Sequence, residues 1–185
     1  MNRLSKLIAT FAALMVGTFA ANAQNDWFIT VAGGGNFAWE GWFNHDGNIG
    51  MKPGAFIEVG KYVGETFAIG AGVDGWEISN PKFFADGITY FYGHVNAYWD
   101  ATKAYTTMGD HPAVNFIPYV HLGGVVTSAA SFAGGLGLKA PIHLGKTISL
   151  VPDFKGTAMA DAVFRSTGYG IIVVLSASLG LSFAF

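Results

Sequence analysis

Hydrophobic residues alternate with small or polar residues along most of the chain after residue 24. The pattern is clearest at the C-terminus, where every second residue from Ile171 to Phe185 is apolar. The positions between them, from 176 to 184, are serine, glycine or alanine. A period of two is typical of a β-strand, because successive side chains point to opposite faces. A helix would spread those serines around its surface, so we interpret this uncharged segment as a strand.

The same composition recurs in eight segments that are separated by turn signals such as those at 80–81, 110–112 and 168–170. A helical hairpin within 112–138 is the main alternative, but glycines and an internal proline disfavour it. The two faces of the fifth and sixth segments cannot be separated from the pattern. The sequence therefore predicts an all-β fold, an eight-stranded antiparallel up-and-down barrel, with strands at 27–37, 55–61, 67–73, 90–100, 115–126, 132–142, 148–157 and 171–185.

Composition narrows the class of protein. Of the 185 residues, 51% are hydrophobic and only 12% are charged, with a formal net charge of −2. Such a chain is too apolar to be intrinsically disordered, and it carries no basic patch for nucleic acid. The absence of cysteine excludes disulfides and thiolate metal sites.

The N-terminus has the form of a secretory signal peptide. Arg3 and Lys6 precede an uncharged stretch that ends in Ala-Asn-Ala at 21–23. A retained membrane anchor is the alternative, but the apolar stretch is short for a span of about 20 residues. We therefore expect residues 1–23 to be a cleaved signal peptide and residues 24–185 to be one barrel domain.

The polar face of the strands is made mostly of glycine, serine, alanine and asparagine. That face is too small and too weakly charged to coat a soluble barrel, but it suits a narrow interior. The apolar face would then contact outer-membrane lipid and lipopolysaccharide. Aromatic residues are expected to form two girdles at the membrane interfaces: Trp27, Tyr62, Phe67 and Trp99 at one rim, and Trp39, Trp42 and Trp76 at the other.

Several charged residues fall on the predicted interior face. We expect a polar network in the lumen that includes Glu58, Asp74, His94, Asn96, Asp100, Asp153 and Lys155. Buried charges are costly unless they are paired. Lys155 is therefore expected beside Asp153 and within reach of Glu58, Asp74 or Asp100 on other strands, and Glu58 or Asp74 could also pair with Lys139. A filled lumen argues against a wide pore, since aqueous channels need about 16 strands.

Short motifs resemble those of the outer membrane protein A-like family, in the Bacteroidales-type form of its N-terminal barrel. They lie at residues 25–29, 59–62, 115–119 and 153–157. The ending at 180–185 is similar to the strand signal that the outer-membrane assembly machinery recognises, which implies that Phe183 and Phe185 act as the assembly signal. Many members continue into a peptidoglycan-binding domain, and this sequence stops at the barrel, so the tethering role is not carried over.

Catalytic and metal chemistry find weak support in the sequence. A hydrolase would need a nucleophile, a base and an acid at one rim, and His45, Asp46, Ser79, Ser166 and Thr167 are the candidates. The five histidines lack the spacing of metal ligands, although His94 and His121 should approach each other inside the barrel. We therefore expect a monomeric, non-enzymatic outer-membrane barrel without a cofactor, structural or surface-interacting in role. A small-solute channel and a lipid A-modifying enzyme are the alternatives.

Overall fold

A computed structural model describes residues 27–40, 51–78, 88–102, 114–126, 130–160 and 171–185. Most of these residues lie in β-strands, as the alternating pattern predicts. Within these ranges no helix has the length and hydrophobicity needed to cross a membrane. The strands are β1 (Trp27–Glu40), β2 (Met51–Tyr62), β3 (Phe67–Ile78), β4 (Ile88–Trp99), β5 (Ile117–Val126), β6 (Ala130–Lys139), β7 (Ile142–His143), β8 (Ile148–Ala160) and β9 (Ile171–Ala184).

The eight long strands form a closed ring. Each strand from β1 to β5 pairs antiparallel with the strand that follows it, β8 pairs with β9, and β9 returns to β1. The ring closes where β6 pairs with β8, and the two-residue strand β7 adds only a short pairing to β8. The predicted eight-stranded antiparallel up-and-down barrel is therefore confirmed.

The barrel has two distinguishable ends. We call one the terminal end, because Trp27 and Phe185 lie there and exchange backbone hydrogen bonds of 3.2 and 3.0 Å. The tight turns 63–66 and 144–147 lie at the same end. We call the opposite end the loop end, where the strands lead into residues 41–50, 79–87, 127–129 and 161–170.

The outer wall of the barrel is apolar. Outward-facing side chains are extensively exposed, and Phe132 on β6 is 80% exposed. Of the outward-facing strand residues whose side chains the structure describes, every one is apolar or glycine except Lys61. An uninterrupted wall of this kind is unusual for a water-soluble surface.

The interior is filled by side chains in two hydrophobic clusters with charged residues between them. The loop-end cluster consists of Trp76, Tyr90, Tyr92, Val125, Ala133, Met159 and Val174. The terminal-end cluster consists of Ala68, Tyr98, Ile117 and Tyr119, with Phe28 and Tyr62 packed against it. Large side chains thus occupy the lumen at both ends.

Inward-facing glycines make room for these aromatic rings. A Cβ atom at Gly54 would overlap the indole ring of Trp76, and one at Gly137 would overlap the ring of Tyr119. Neither glycine has a backbone conformation in the left-handed region. The structure therefore requires glycine at these two positions for space and not for backbone freedom.

Candidate functional site

The charged layer between the two hydrophobic clusters is the most distinctive chemical feature of the interior. Six of the seven residues expected in a lumen network project inside the ring, and Asp100 lies just past the end of β4. All seven are buried: Glu58, Asp74, His94, Asn96, Asp100, Asp153 and Lys155. Lys139 and His121 are buried among them.

The first ion pair joins β2 to β6. Lys139 donates from Nζ to Oε1 of Glu58, and both side chains are almost fully buried. The other carboxylate oxygen, Oε2, accepts a hydrogen bond of 2.8 Å from the Tyr98 hydroxyl and one of 3.3 Å from the Asn96 amide. Glu58 therefore has donors on both oxygens, which offsets the cost of burying its charge.

The second ion pair joins β3 to β8. Lys155 donates from Nζ to Oδ2 of Asp74, whose side chain is completely buried. The other oxygen, Oδ1, lies 3.0 Å from Nε2 of His94, and Nδ1 of that ring lies 2.7 Å from Oδ1 of Asn96. Asn96 thus links the Asp74 pair to the Glu58 pair across β4.

Of the partners that the sequence offered for Lys155, the structure shows Asp74 and not the neighbouring Asp153. The two oxygens of Asp153 accept hydrogen bonds of 2.9 and 3.2 Å from the Tyr119 hydroxyl. Asp153 and Lys155 project from the same face of β8 in parallel directions, so their charged ends do not meet. The lysine side chain is long enough to cross the narrow lumen. Lys155 therefore reaches Asp74 on the opposite wall.

Each interior lysine is also surrounded by aromatic rings. Nζ of Lys139 lies 4.9 Å from the ring centre of Tyr98 and 5.3 Å from that of Tyr119. Nζ of Lys155 lies 5.8 Å from the indole of Trp76 and 6.0 Å from the ring of Tyr92. Both ammonium groups also approach Phe56, at 5.6 and 5.4 Å. Ring faces attract cations, so these contacts stabilise the buried lysines beyond their ion pairs.

His121 extends the network toward the closing seam of the barrel. Its Nδ1 lies 2.8 Å from the Tyr92 hydroxyl, and its Nε2 lies 3.2 Å from the backbone carbonyl oxygen of Gly156 on β8. The rings of His94 and His121 are 6.1 Å apart, centre to centre. The two histidines do approach each other, and the partners that the structure shows are protein groups.

A second polar group lies at the terminal end. Asn115 donates a hydrogen bond of 2.7 Å to Asp100, and its Oδ1 lies 3.2 Å from Nε2 of His143. Nearby, a cavity of about 200 Å³ opens on this end, with Glu58 and Lys139 among its lining residues. Asp100 is therefore an anchor for the connection into β5 and not part of the central charged layer.

The predicted aromatic girdles are partly wrong. Trp27, Phe67 and Trp99 face outward at the terminal end. Tyr62 instead lies on the inward row of β2, with its ring centre 5.9 Å from that of Phe28. Trp76 lies on the inward row of β3 and is 2% exposed. Both had been assigned by closeness to a strand end, but the alternation along each strand decides the face. The Trp39 side chain and Trp42 lie outside the described residues.

The two C-terminal phenylalanines are partly covered by neighbouring residues. Phe183 was placed on the outer face and is half-buried there, whereas Phe185 is only 9% exposed. Phe185 lies just beyond the last residue of β9 and still exchanges two backbone hydrogen bonds with Trp27. Its low exposure is compatible with the outer row, since Ile29 on the outer row of β1 is only 5% exposed. The lipid-facing position of Phe185 and the role of both residues in assembly stay predictions.

The candidates for catalysis lie outside the described residues. These are His45, Asp46, Ser79, Ser166 and Thr167, and the same is true of the signal segment 1–23. Among the residues that the structure describes, no three His, Asp or Glu side chains are grouped as a metal site requires.

Sequence reasoning missed part of the site. Tyr119 was not assigned to the interior, because β5 carries Gly123 and Gly124, and these blur the contrast between its faces. The two faces of β6 were equally unclear in the sequence. Lys139 was therefore named only as a possible ion-pair partner and not as a member of the network. The one sequence signal for an inward Lys139 was its charge, because the rest of the segment 132–142 is uncharged.

Comparison with solved structures identifies the fold. Neisserial surface protein A matches with a TM-score of 0.63 at 10% identity, over 86% of this chain and 97% of that one. Ail, the attachment invasion locus protein of Yersinia pestis, matches with a TM-score of 0.55 at 7% identity, over 88% and 100%. The outer membrane protein OprG of Pseudomonas aeruginosa matches with a TM-score of 0.51 at 7% identity, over 86% and 96%.

Sequence comparison adds nothing to this. No protein-family model matches the chain, and no curated protein sequence matches it. At 7–10% identity the structural likeness concerns the fold. The chain is therefore a closed eight-stranded antiparallel β-barrel with the fold of known outer-membrane barrels.

Proposed function

We propose that this chain is an integral outer-membrane barrel with a structural or surface-interacting role, and that it is neither a channel nor an enzyme. The observation that carries the proposal is the outer wall, where Lys61 is the only charged residue among the outward-facing strand residues whose side chains the structure describes. A closed ring satisfies the backbone hydrogen bonds between its strands, which is what the hydrocarbon layer demands. Exposed residues such as Leu122 and Leu136 would be costly in water and favourable in lipid.

The orientation follows from general barrel architecture. In outer-membrane barrels the turns on the periplasmic side are short and the extracellular loops are longer. Residues 63–66 and 144–147 at the terminal end are tight turns, although the connection 100–116 at the same end is long, and three of the four loop-end connections have nine or ten residues. On this balance we assign the terminal end to the periplasm and the loop end to the cell surface. The connections 41–50, 79–87 and 161–170 would then be the surface segments, and they include Trp42, Phe43, Phe83, Phe84 and Phe164. Ail is an attachment protein by name, and a similar contact role for these segments fits the proposal.

Membership of the outer membrane protein A-like family is part of the proposal. It is supported by the short motifs at 59–62 and 180–185 together with the barrel fold. The proposed targeting agrees with it, since a signal peptide at 1–23 would deliver the chain to the periplasm. Assembly machinery would then insert it.

Membrane insertion can be tested by refolding the urea-denatured chain into phospholipid vesicles. We expect the unboiled protein to migrate differently from the boiled protein on a detergent gel, because a closed barrel without free edges resists detergent in the cold. Circular dichroism should show β-structure in the same sample. A chain that folds as a monodisperse protein in buffer without lipid or detergent would contradict the proposal.

The lack of a channel is a separate prediction. The Glu58–Lys139 and Asp74–Lys155 pairs cross the lumen between the loop-end cluster and the terminal-end cluster. We therefore expect no steady unitary conductance in planar bilayers. The measurement requires protein whose folding has been checked by gel mobility. Reproducible single-channel steps from the folded barrel would favour the small-solute channel, and the pore would then have to pass through the charged layer.

A further inference from the structure

The described part of the outer wall carries a pronounced depression. It has a volume of about 700 Å³ and crosses the outer faces of β2, β3, β4 and β5. Strand register arranges its side chains in two adjacent rows, and each row has an alanine in its middle. The rows are Lys61–Ile69–Ala97–Val120 and Val59–Ala71–Val95–Leu122.

The alanines form the floor of this depression. Ala71 and Ala97 are exposed, and their neighbours in the rows are larger β-branched residues or leucine. On the terminal side the wall rises again at Phe67 and Trp99, which face each other on β3 and β4. Asn96 and His121 also line the depression, but their side chains form hydrogen bonds inside the lumen, so the concave surface is apolar between Lys61 and Leu122.

A cation lies at one edge of the depression. Lys61 is half-buried near the end of β2, and its Nζ is 5.3 Å from the ring centre of Trp27, which also lines the depression. Among the outward-facing strand residues whose side chains the structure describes, Lys61 alone is charged, and it lies at the edge of this depression. An apolar trough that ends at a lysine and a tryptophan matches a ligand with an acyl chain and an anionic head.

We propose that this depression, the wall groove, binds one phospholipid, with its phosphate at Lys61 and an acyl chain over Ala71 and Ala97. The inference rests on the membrane insertion proposed above, with the terminal end in the periplasm. That orientation brings Lys61 to the headgroups of the inner leaflet. A lipid chain is flexible and follows a concave wall.

A second copy of the barrel is a poorer occupant. Its wall would be convex, and the one acidic residue on an outward row of the described strands, Glu77, lies near the loop end of β3, whereas Lys61 lies at the terminal end. A copy docked in the groove would therefore leave the ammonium group against apolar side chains. A phospholipid supplies the counter-charge and the chain in one molecule.

Native mass spectrometry of the folded barrel in non-ionic detergent, titrated with dioleoylphosphatidylglycerol, tests the proposal. We expect saturable retention of one lipid. Ala97→Phe should weaken retention at least about five-fold by filling the groove. Lys61→Gln should weaken it about five-fold, which corresponds to the roughly 1 kcal/mol that one basic residue contributes near an anionic membrane surface. Dioleoylglycerol, which has no phosphate, should bind wild type as weakly as phosphatidylglycerol binds Lys61→Gln.

Matched variants provide the controls. Ala158→Phe changes an outward-facing alanine on β8, away from the groove, and Lys146→Gln removes an exposed charge from a terminal-end turn. Both should retain lipid as wild type does. Equal retention in wild type and Ala97→Phe would overturn the proposal, as would a dimer that Ala97→Phe abolishes. Gel mobility and circular dichroism on each sample separate this result from failure of the barrel to fold, which would count against membrane insertion itself.

Discussion

Replacing Lys155 by methionine is expected to destabilise the folded barrel by about 3–5 kcal/mol, because it leaves the buried Asp74 carboxylate without its cation. The Asp74 side chain has no exposed surface, and His94 would be its one remaining donor among those described. Methionine keeps much of the lysine's apolar volume beside Trp76 and Tyr92, so the loss reports mainly on charge. Urea unfolding in phospholipid vesicles, followed by tryptophan fluorescence, measures it.

The partner of Lys155 can be identified by rescue. Adding Asp74→Asn to Lys155→Met removes the orphaned charge, and we expect it to recover a large part of the loss. Adding Asp153→Asn should recover little, because Asp153 accepts its hydrogen bonds from Tyr119. Lys146→Met, on an exposed turn, should stay within about 0.5 kcal/mol of wild type. A loss of that small size for Lys155→Met, or rescue by Asp153→Asn alone, would contradict the assigned pair.

The fold was predictable from the sequence because one physical rule dominates it. Side chains alternate between an apolar outer surface and the interior. In β4 the two faces differ clearly in polarity. Tyr92, His94 and Asn96 point inward. Gly93 and Val95 point outward. The same rule places Tyr62 and Trp76 inside, and the girdle assignment was wrong where it set that rule aside. Where both faces are small, as in β5 and β6, the pattern loses contrast.

The ion pairs were less predictable for a geometric reason. Alternation tells which way a side chain points but not how high it lies in the barrel or what faces it across the lumen. Glu58 and Lys139 are 81 residues apart on strands that are not neighbours, and the same separation divides Asp74 from Lys155. Their pairing depends on the accumulated register of several strands and on closure between β6 and β8.

Glycine positions provide a test of interior packing that compares two identical substitutions. Gly54 on β2 faces inward, and an added Cβ would overlap the indole of Trp76. That ring is held between Tyr90, Met159 and the rest of the loop-end cluster, so it has little room to move. Gly93 on β4 faces outward, and nothing lies within 4 Å of an added Cβ.

Gly54→Ala is therefore expected to destabilise the barrel by about 1–3 kcal/mol through overpacking, whereas Gly93→Ala should stabilise it by about 0.5–1 kcal/mol, the usual advantage of alanine over glycine within a strand. The measurement is again urea unfolding in vesicles. A smaller penalty for Gly54→Ala in a Trp76→Phe background would trace the effect to the indole ring, because phenylalanine leaves more space at that point. In the Gly54→Ala single variant, the added methyl group also pushes Trp76 away from Lys155. The loss of stability for this variant should therefore lie in the upper part of the range. Equal effects of the two alanine substitutions would mean that the lumen is loosely filled at the loop end. Tight packing of the loop-end cluster could then no longer be used as an argument against a conducting pore.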